Sequence, residues 1–187
     1  KVENNVIVKA NSSLASFNNA APSWSAEQLA ANGIYEVVYD NTNLKDSRFY
    51  NNGAESFTFA NDTVTASYTL AAGKALDDVN GTDEEGVELD PIVVISGLKS
   101  IEKNQIKAQA ASLLQSTDWY VIRNAESSTA IPANVSTYRT AVRTKSNEIE
   151  TAIDGAATVE ALEALFTYTK GADDVVSRPL GEWPILA

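Results

Sequence analysis

The stretch Pro91-Ile92-Val93-Val94-Ile95-Ser96-Gly97-Leu98-Lys99-Ser100-Ile101-Glu102-Lys103-Asn104-Gln105-Ile106 holds the change of period that decides the fold class. Pro91 to Ile95 is the longest continuous apolar run, with the length and β-branching of a buried strand. Past Gly97 the apolar residues instead recur at helical spacing: Ile101, Ile106, Ala110, Leu113 and Leu114 line one side of a helix from about Leu98 to Ser116. The chain therefore reads as α+β, with an antiparallel β-rich subdomain over 1–96 and a helical subdomain over 97–187.

Working back from Pro91, the first half is rich in Asn, Gly, Thr and aromatic residues. Phe57 and Phe59 alternate on one side of Asn61-Asp62, and Val64, Ala66, Tyr68 and Leu70 on the other, which is the pattern of an antiparallel hairpin. Ile34 to Tyr39 has strand composition, and Val2, Val6 and Val8 suggest an opening strand. Between them, Pro22-Ser23-Trp24-Ser25 marks a helix start. Ser25 is placed to cap a short helix over Ala26–Ala31, which Asn32-Gly33 stops.

Working forward, Val135, Tyr138, Val142, Ile149 and Ile153 form a stripe between Asn134 and Asp154, closed by Gly155. Thr158 is placed to cap a third helix carrying Val159, Leu162, Leu165 and Phe166 on one face. Thr117-Asp118 ends the first helix and is expected to turn Trp119 into the core, so that the second helix folds back on Leu113 and Leu114. Pro179 and Pro184 require an extended tail.

Composition removes whole classes of chemistry. The 187 residues contain no His, no Cys and no Met. Without His or Cys there is no Ser-His-Asp triad, no thiol nucleophile, and no zinc or iron–sulfur site of the usual ligands. Formal net charge is −11, which argues against nucleic acid as a partner, because binding there rests on neutralising phosphate. An apolar fraction of 44% is enough for a packed core, and no run approaches a membrane span, so no membrane insertion is expected. The segment Lys1–Asn5 is polar and carries no secretory apolar region.

Few residues suggest a reaction. The acidic segment from Asp77 to Asp90 fails the calcium-loop template. Counted from Asp78, Gly81 comes too early and Leu89 stands where a bidentate Glu belongs; the ordinary reading is a solvated acidic loop. Glu55, Glu84, Glu85 and Glu88 lack the apolar neighbours that raise a proton donor's pKa. Ala71-Ala72-Gly73-Lys74 lacks the rest of a phosphate-binding loop. The Asn-x-Ser/Thr triplets at Asn11, Asn61, Asn80 and Asn134 have meaning only in a secretory context. No catalytic residue, cofactor or metal is therefore expected. Arg139 and Arg143 lie four apart on one helix face, which an anion could meet but which solvent ordinarily covers. Trp24, Trp119 and Trp183 sit near element boundaries. They either pack helix ends and staple the tail or anchor a protein contact, where exposed Trp and Tyr concentrate binding energy. The interface candidates are Trp24, Tyr35, Trp119, Tyr138, Arg139, Arg143 and Trp183.

Four segments carry a resemblance. Leu113-Leu114-Gln115-Ser116-Thr117-Asp118-Trp119 is followed by Ala130-Ile131-Pro132, then Tyr138-Arg139-Thr140-Ala141-Val142-Arg143, and finally Trp183-Pro184. This series resembles the C-terminal region of tailed-bacteriophage tail, tail-fibre and baseplate structural proteins, across roughly Leu98 to Ala187. Upstream, Trp24 to Val38 is similar to the helix–glycine–strand opening of related tail proteins. The resemblance implies a virion structural protein of the tail, made in the host cytoplasm. Its partners would be other tail subunits within an oligomer, and a host-surface glycan is a further candidate. It brings no catalytic residue with it. Two other readings share these features: a tail-fibre assembly chaperone that leaves the finished particle, and a carbohydrate-binding module using Trp24, Tyr35, Tyr39 or Tyr50 as stacking platforms.

Overall fold

The computed structural model describes residues 1–10, 13 and 23–186. Pro22 and Asn11 lie outside the described residues. The fold is α+β, and the chain divides into two compact units, 1–73 and 74–187.

In the first unit, β1 (Val2–Glu3) and β2 (Val6–Ile7) form a tight hairpin. Asn4 and Asn5 take φ of 52° and 61° at its turn, as a two-residue connection with the right twist requires. The expected single opening strand is thus folded back on itself. Helix α1 (Ala26–Ala31) starts where expected. Ser25 Oγ accepts from Gln28 N while Gln28 Oε1 accepts from Ser25 N, a reciprocal cap. Gly33 follows with φ 69°, and a Cβ there would stand 2.1 Å from the Val2 carbonyl oxygen. Only Gly admits this approach, and its carbonyl receives the Val2 N–H at 2.7 Å.

The main sheet is β3 (Val37–Asp40), β6 (Thr63–Tyr68) and β5 (Glu55–Ala60), in that spatial order. The β5–β6 hairpin turns on Asn61 and Asp62, with φ of 49° and 55°. Strand β3 starts at Val37, later than Ile34, and runs parallel to β6. The sheet is therefore mixed where an antiparallel one was expected. Hairpin formation leaves one edge of β6 open, and the connection through β4 (Tyr50–Asn51) brings β3 to that edge in the parallel sense. Strand β7 (Ala72–Gly73) pairs with β4. Val64, Ala66, Phe49 and Tyr50 are buried.

In the second unit, β8 (Val79–Asn80) and β9 (Val94–Ile95) are the paired ends of a ribbon, where a loop was expected. Four helices follow: α2 (Leu98–Gln115), α3 (Asp118–Ser127), α4 (Ala133–Gly155) and α5 (Val159–Phe166). Leu98, Glu102, Ile106 and Ala110 form the buried stripe of α2. Ile101 is 41% exposed, so the stripe is rotated from the expected one. The fourth-residue repeat places Glu102 inward in line with Leu98 and Ile106. On α4 the buried line is Val135, Tyr138, Arg139, Val142, Ser146, Ile149 and Ile153. The two helices run antiparallel, with Lys103 Nζ 2.7 Å from Asp154 and Lys107 Nζ 3.5 Å from Glu150. Helix α5 is capped by Thr158 Oγ1, which accepts from Ala161 N, and it buries Leu162 completely. A short hairpin, β10 (Thr169–Lys170) with β11 (Val176–Ser177), precedes the extended tail.

The unit boundary falls at Gly73, ahead of the expected 96/97, because segment 74–97 is bonded to the start of α2. Ala75 and Leu76 carbonyls accept the Leu98 and Lys99 N–H groups at 2.9 and 3.0 Å. Asp78 Oδ1 accepts Gly97 N at 2.8 Å, and its Oδ2 accepts the Ser100 hydroxyl at 2.9 Å. Gly97 offers no side chain to cap the helix, and a Cβ there would stand 2.3 Å from the Asp77 carbonyl carbon. The cap is supplied from outside the helix, by a carboxylate at its positive end.

Candidate functional site

The C-terminal end of α2 leaves carbonyls without intrahelical partners. Two of them are met by α4. Tyr138 donates its hydroxyl to the Leu113 carbonyl at 3.2 Å, and Arg139 Nη1 donates to the Leu114 carbonyl at 3.0 Å. The same Arg139 nitrogen lies 2.6 Å from Thr117 Oγ1, while Nη2 stands 2.9 Å from Asp118 Oδ1. Thr117 donates its own hydroxyl to the Leu114 carbonyl at 2.8 Å. One planar guanidinium thus ties the end of α2 to the first turn of α3, using the fork geometry that Lys lacks. Arg139 and Thr117 are both buried, at 7% and 2% exposure.

Trp183 completes the same locus. It packs on the cluster of Ala110, Tyr138 and Val142, beside Leu113 and Leu114, and donates its indole N–H to Gln109 Oε1 at 3.1 Å. The prolines on either side of Leu180 keep this tail from coiling, and Leu180 is itself buried.

The interface candidates therefore separate. Tyr138, Arg139 and Trp183 face inward and hold the helices and tail together. Tyr35 packs against Phe59 with the rings tilted by 49° and their centroids 4.8 Å apart, and Trp24 is half-buried just ahead of α1. Arg143 is exposed, and its Nη1 reaches the Arg139 carbonyl on its own helix at 3.4 Å. Trp119 does not enter the core. It is 49% exposed, on a helix that has no buried residue, because the chain resumes helical geometry at Asp118 where it was expected to turn away. The Arg123 guanidinium covers part of it, 4.6 Å from the Trp119 ring and 5.3 Å from that of Tyr120. Among the stacking platforms considered for a sugar, Tyr50 is buried and Tyr39 is 52% exposed.

The acidic segment is engaged in local structure. Asp83 Oδ1 accepts the Glu85 and Val87 N–H groups, Glu88 accepts from the Asn80 amide, and Asp77 pairs with Lys99 at 3.0 Å. The Gly97 N–H and the Ser100 hydroxyl, both donating to Asp78, hold its carboxyl below the usual carboxylate range. Among the described residues no group of three or more carboxylates is placed to hold a metal ion, and no helix is long and apolar enough to cross a membrane.

Sequence reasoning missed Thr117 and Gln109 as partners, and Asp78 as a cap. Gly97 at a helix start was the available signal for the last, since a Gly N-cap needs its acceptor from elsewhere. The chain matches no protein-family model, no curated protein sequence and no solved structure.

Proposed function

We propose that this chain is a structural subunit of a tailed-bacteriophage virion, in the tail, tail-fibre or baseplate region, acting by assembly with other tail subunits. The observation that supports this reading is the convergence of three of the four segments that resemble such proteins. Thr117 and Asp118, Tyr138 and Arg139, and Trp183 lie far apart in sequence, yet they share one network at the end of the α2–α4 hairpin. Together they look like the folding signature of one structural module.

In this reading the motif stabilises the subunit and does not itself touch a partner. Contact falls to outward groups such as Trp119 and Ile122 on α3, where Ile122 is 56% exposed. The test is mass spectrometry of purified phage particles from a culture expressing the chain. We expect it in the particle at a fixed ratio to a known tail subunit. Presence in the lysate but absence from particles would replace the proposal with an assembly chaperone; absence from both would end it.

A further inference from the structure

The apolar run expected to be a buried strand is exposed. Ile92, Val93, Val94 and Ile95 are 64%, 49%, 58% and 55% accessible, although successive residues of a strand face opposite sides. On the strand itself, Val94 and Ile95 face opposite sides, so among the described residues neither face is covered. The ribbon around it is two-stranded. Residues 79–83 pair with 93–95 near its base and with 87–89 near its tip, through Gly81 N to the Val93 carbonyl at 2.7 Å and Leu89 N to the Gly81 carbonyl at 3.0 Å. Bonded and non-bonded pairs alternate in an antiparallel ladder. Since Gly81 and Val93 are a bonded pair, the N–H and C=O of Val94 point away from β8, towards the free edge. A ribbon of two strands with apolar residues on its outside is marginal in water alone, and a third strand is the ordinary remedy.

Charge selects what that third strand is. Between Lys74 and Lys99 there is no Lys or Arg, while Asp77, Asp78, Asp83, Glu84, Glu85, Glu88 and Asp90 surround the apolar segment. A second copy docking here would bring the same carboxylates against these, and an anionic membrane surface would be repelled in the same way. A segment of another polypeptide with apolar residues flanked by Lys or Arg meets both requirements.

We infer that the ribbon over 79–95 is a docking edge, where the outward backbone of Val94 and the side chains of Ile92 to Ile95 receive an extended, basic-flanked segment of a different protein by strand addition. The inference stands on the ribbon and does not depend on the tail assignment.

The test uses the full chain and a fluorescent synthetic peptide of alternating Val and Lys, with binding read by anisotropy. We expect saturable binding, at least about tenfold weaker when Glu replaces Lys in the peptide, and weakening as salt rises from about 0.05 M to about 0.5 M. Val94→Pro removes only an outward donor, a substitution an edge strand tolerates. It should abolish binding with an unchanged melting curve, and Ile92→Asp should do the same. No binding at millimolar peptide, equal binding of the Glu peptide, or full binding by both variants would overturn the inference. So would a wild-type dimer that Ile92→Asp converts to monomer, because the occupant would then be a second copy.

Discussion

Arg139 shows what a single side chain decides here. A buried guanidinium loses hydration and is tolerable only when its donors are met; here a carbonyl, a hydroxyl and a carboxylate meet them. Removing it takes the charged donor from the Leu114 carbonyl and the Thr117 hydroxyl, which keep their bond to each other and, at the carbonyl, the Thr117 N–H. Arg139→Met is therefore expected to cost about 2–3 kcal/mol in urea unfolding. Arg139→Lys should recover only part of that, because one ammonium cannot reach all three acceptors in the plane of the fork. Trp119 makes the opposite case. Buried, its truncation would cost about 3–5 kcal/mol; at the half-exposure it has, Trp119→Ala should cost less than about 1 kcal/mol and leave the melting temperature nearly unchanged. A large loss would show that the ring is core.

At the scale of elements, the start of α2 depends on a residue outside it. Asp78 accepts from Gly97 and Ser100 only as a strong acceptor when ionised, and its folded pKa lies below that of the unfolded chain. Its contribution is thus present above the unfolded value, about 4, and is lost as pH falls through the lower folded value. The stability difference between the wild type and Asp78→Asn, measured by thermal unfolding, should be largest near neutral pH and shrink below about pH 4. A difference that stays constant with pH would remove Asp78 from this role. Elements whose signals are local were legible in the sequence. The Asn61-Asp62 hairpin, the Ser25 and Thr158 caps and the α4 stripe all rest on residues within a few positions of one another. Helix α3 was not legible. Thr117 bonds back to the Leu114 carbonyl, which ends α2 as expected, but Ser116 keeps helical dihedrals and the chain re-enters a helix two residues later. A break that mild leaves no local sequence signal that separates it from a true turn.

For the whole molecule, the boundary at Gly73 has a measurable consequence. A fragment of residues 74–187 keeps the Ala75 and Leu76 carbonyls and the Asp78 carboxylate that close the first turn of α2. A fragment of 97–187 loses all three. The longer fragment should unfold cooperatively in urea, and the shorter should be about 2 kcal/mol less stable. Equal stabilities would return the division to Gly97.

The sequence alone determined the α+β class, the hairpin, the capped helices and the absence of the residues that thiol and histidine chemistry need, because each follows from composition or from neighbours in the chain. Three of its four motif segments marked the residues of the central network without revealing that they meet. Only the tertiary structure decided that Tyr138, Arg139 and Trp183 face inward, that Trp119 faces out, that β3 runs parallel to β6, and that Ile92 to Ile95 are left uncovered. Each of these depends on which distant segment arrives alongside. Apolar periodicity records that a residue needs cover; where the cover comes from is settled by packing, which among the described residues leaves Ile92 to Ile95 at least 49% exposed.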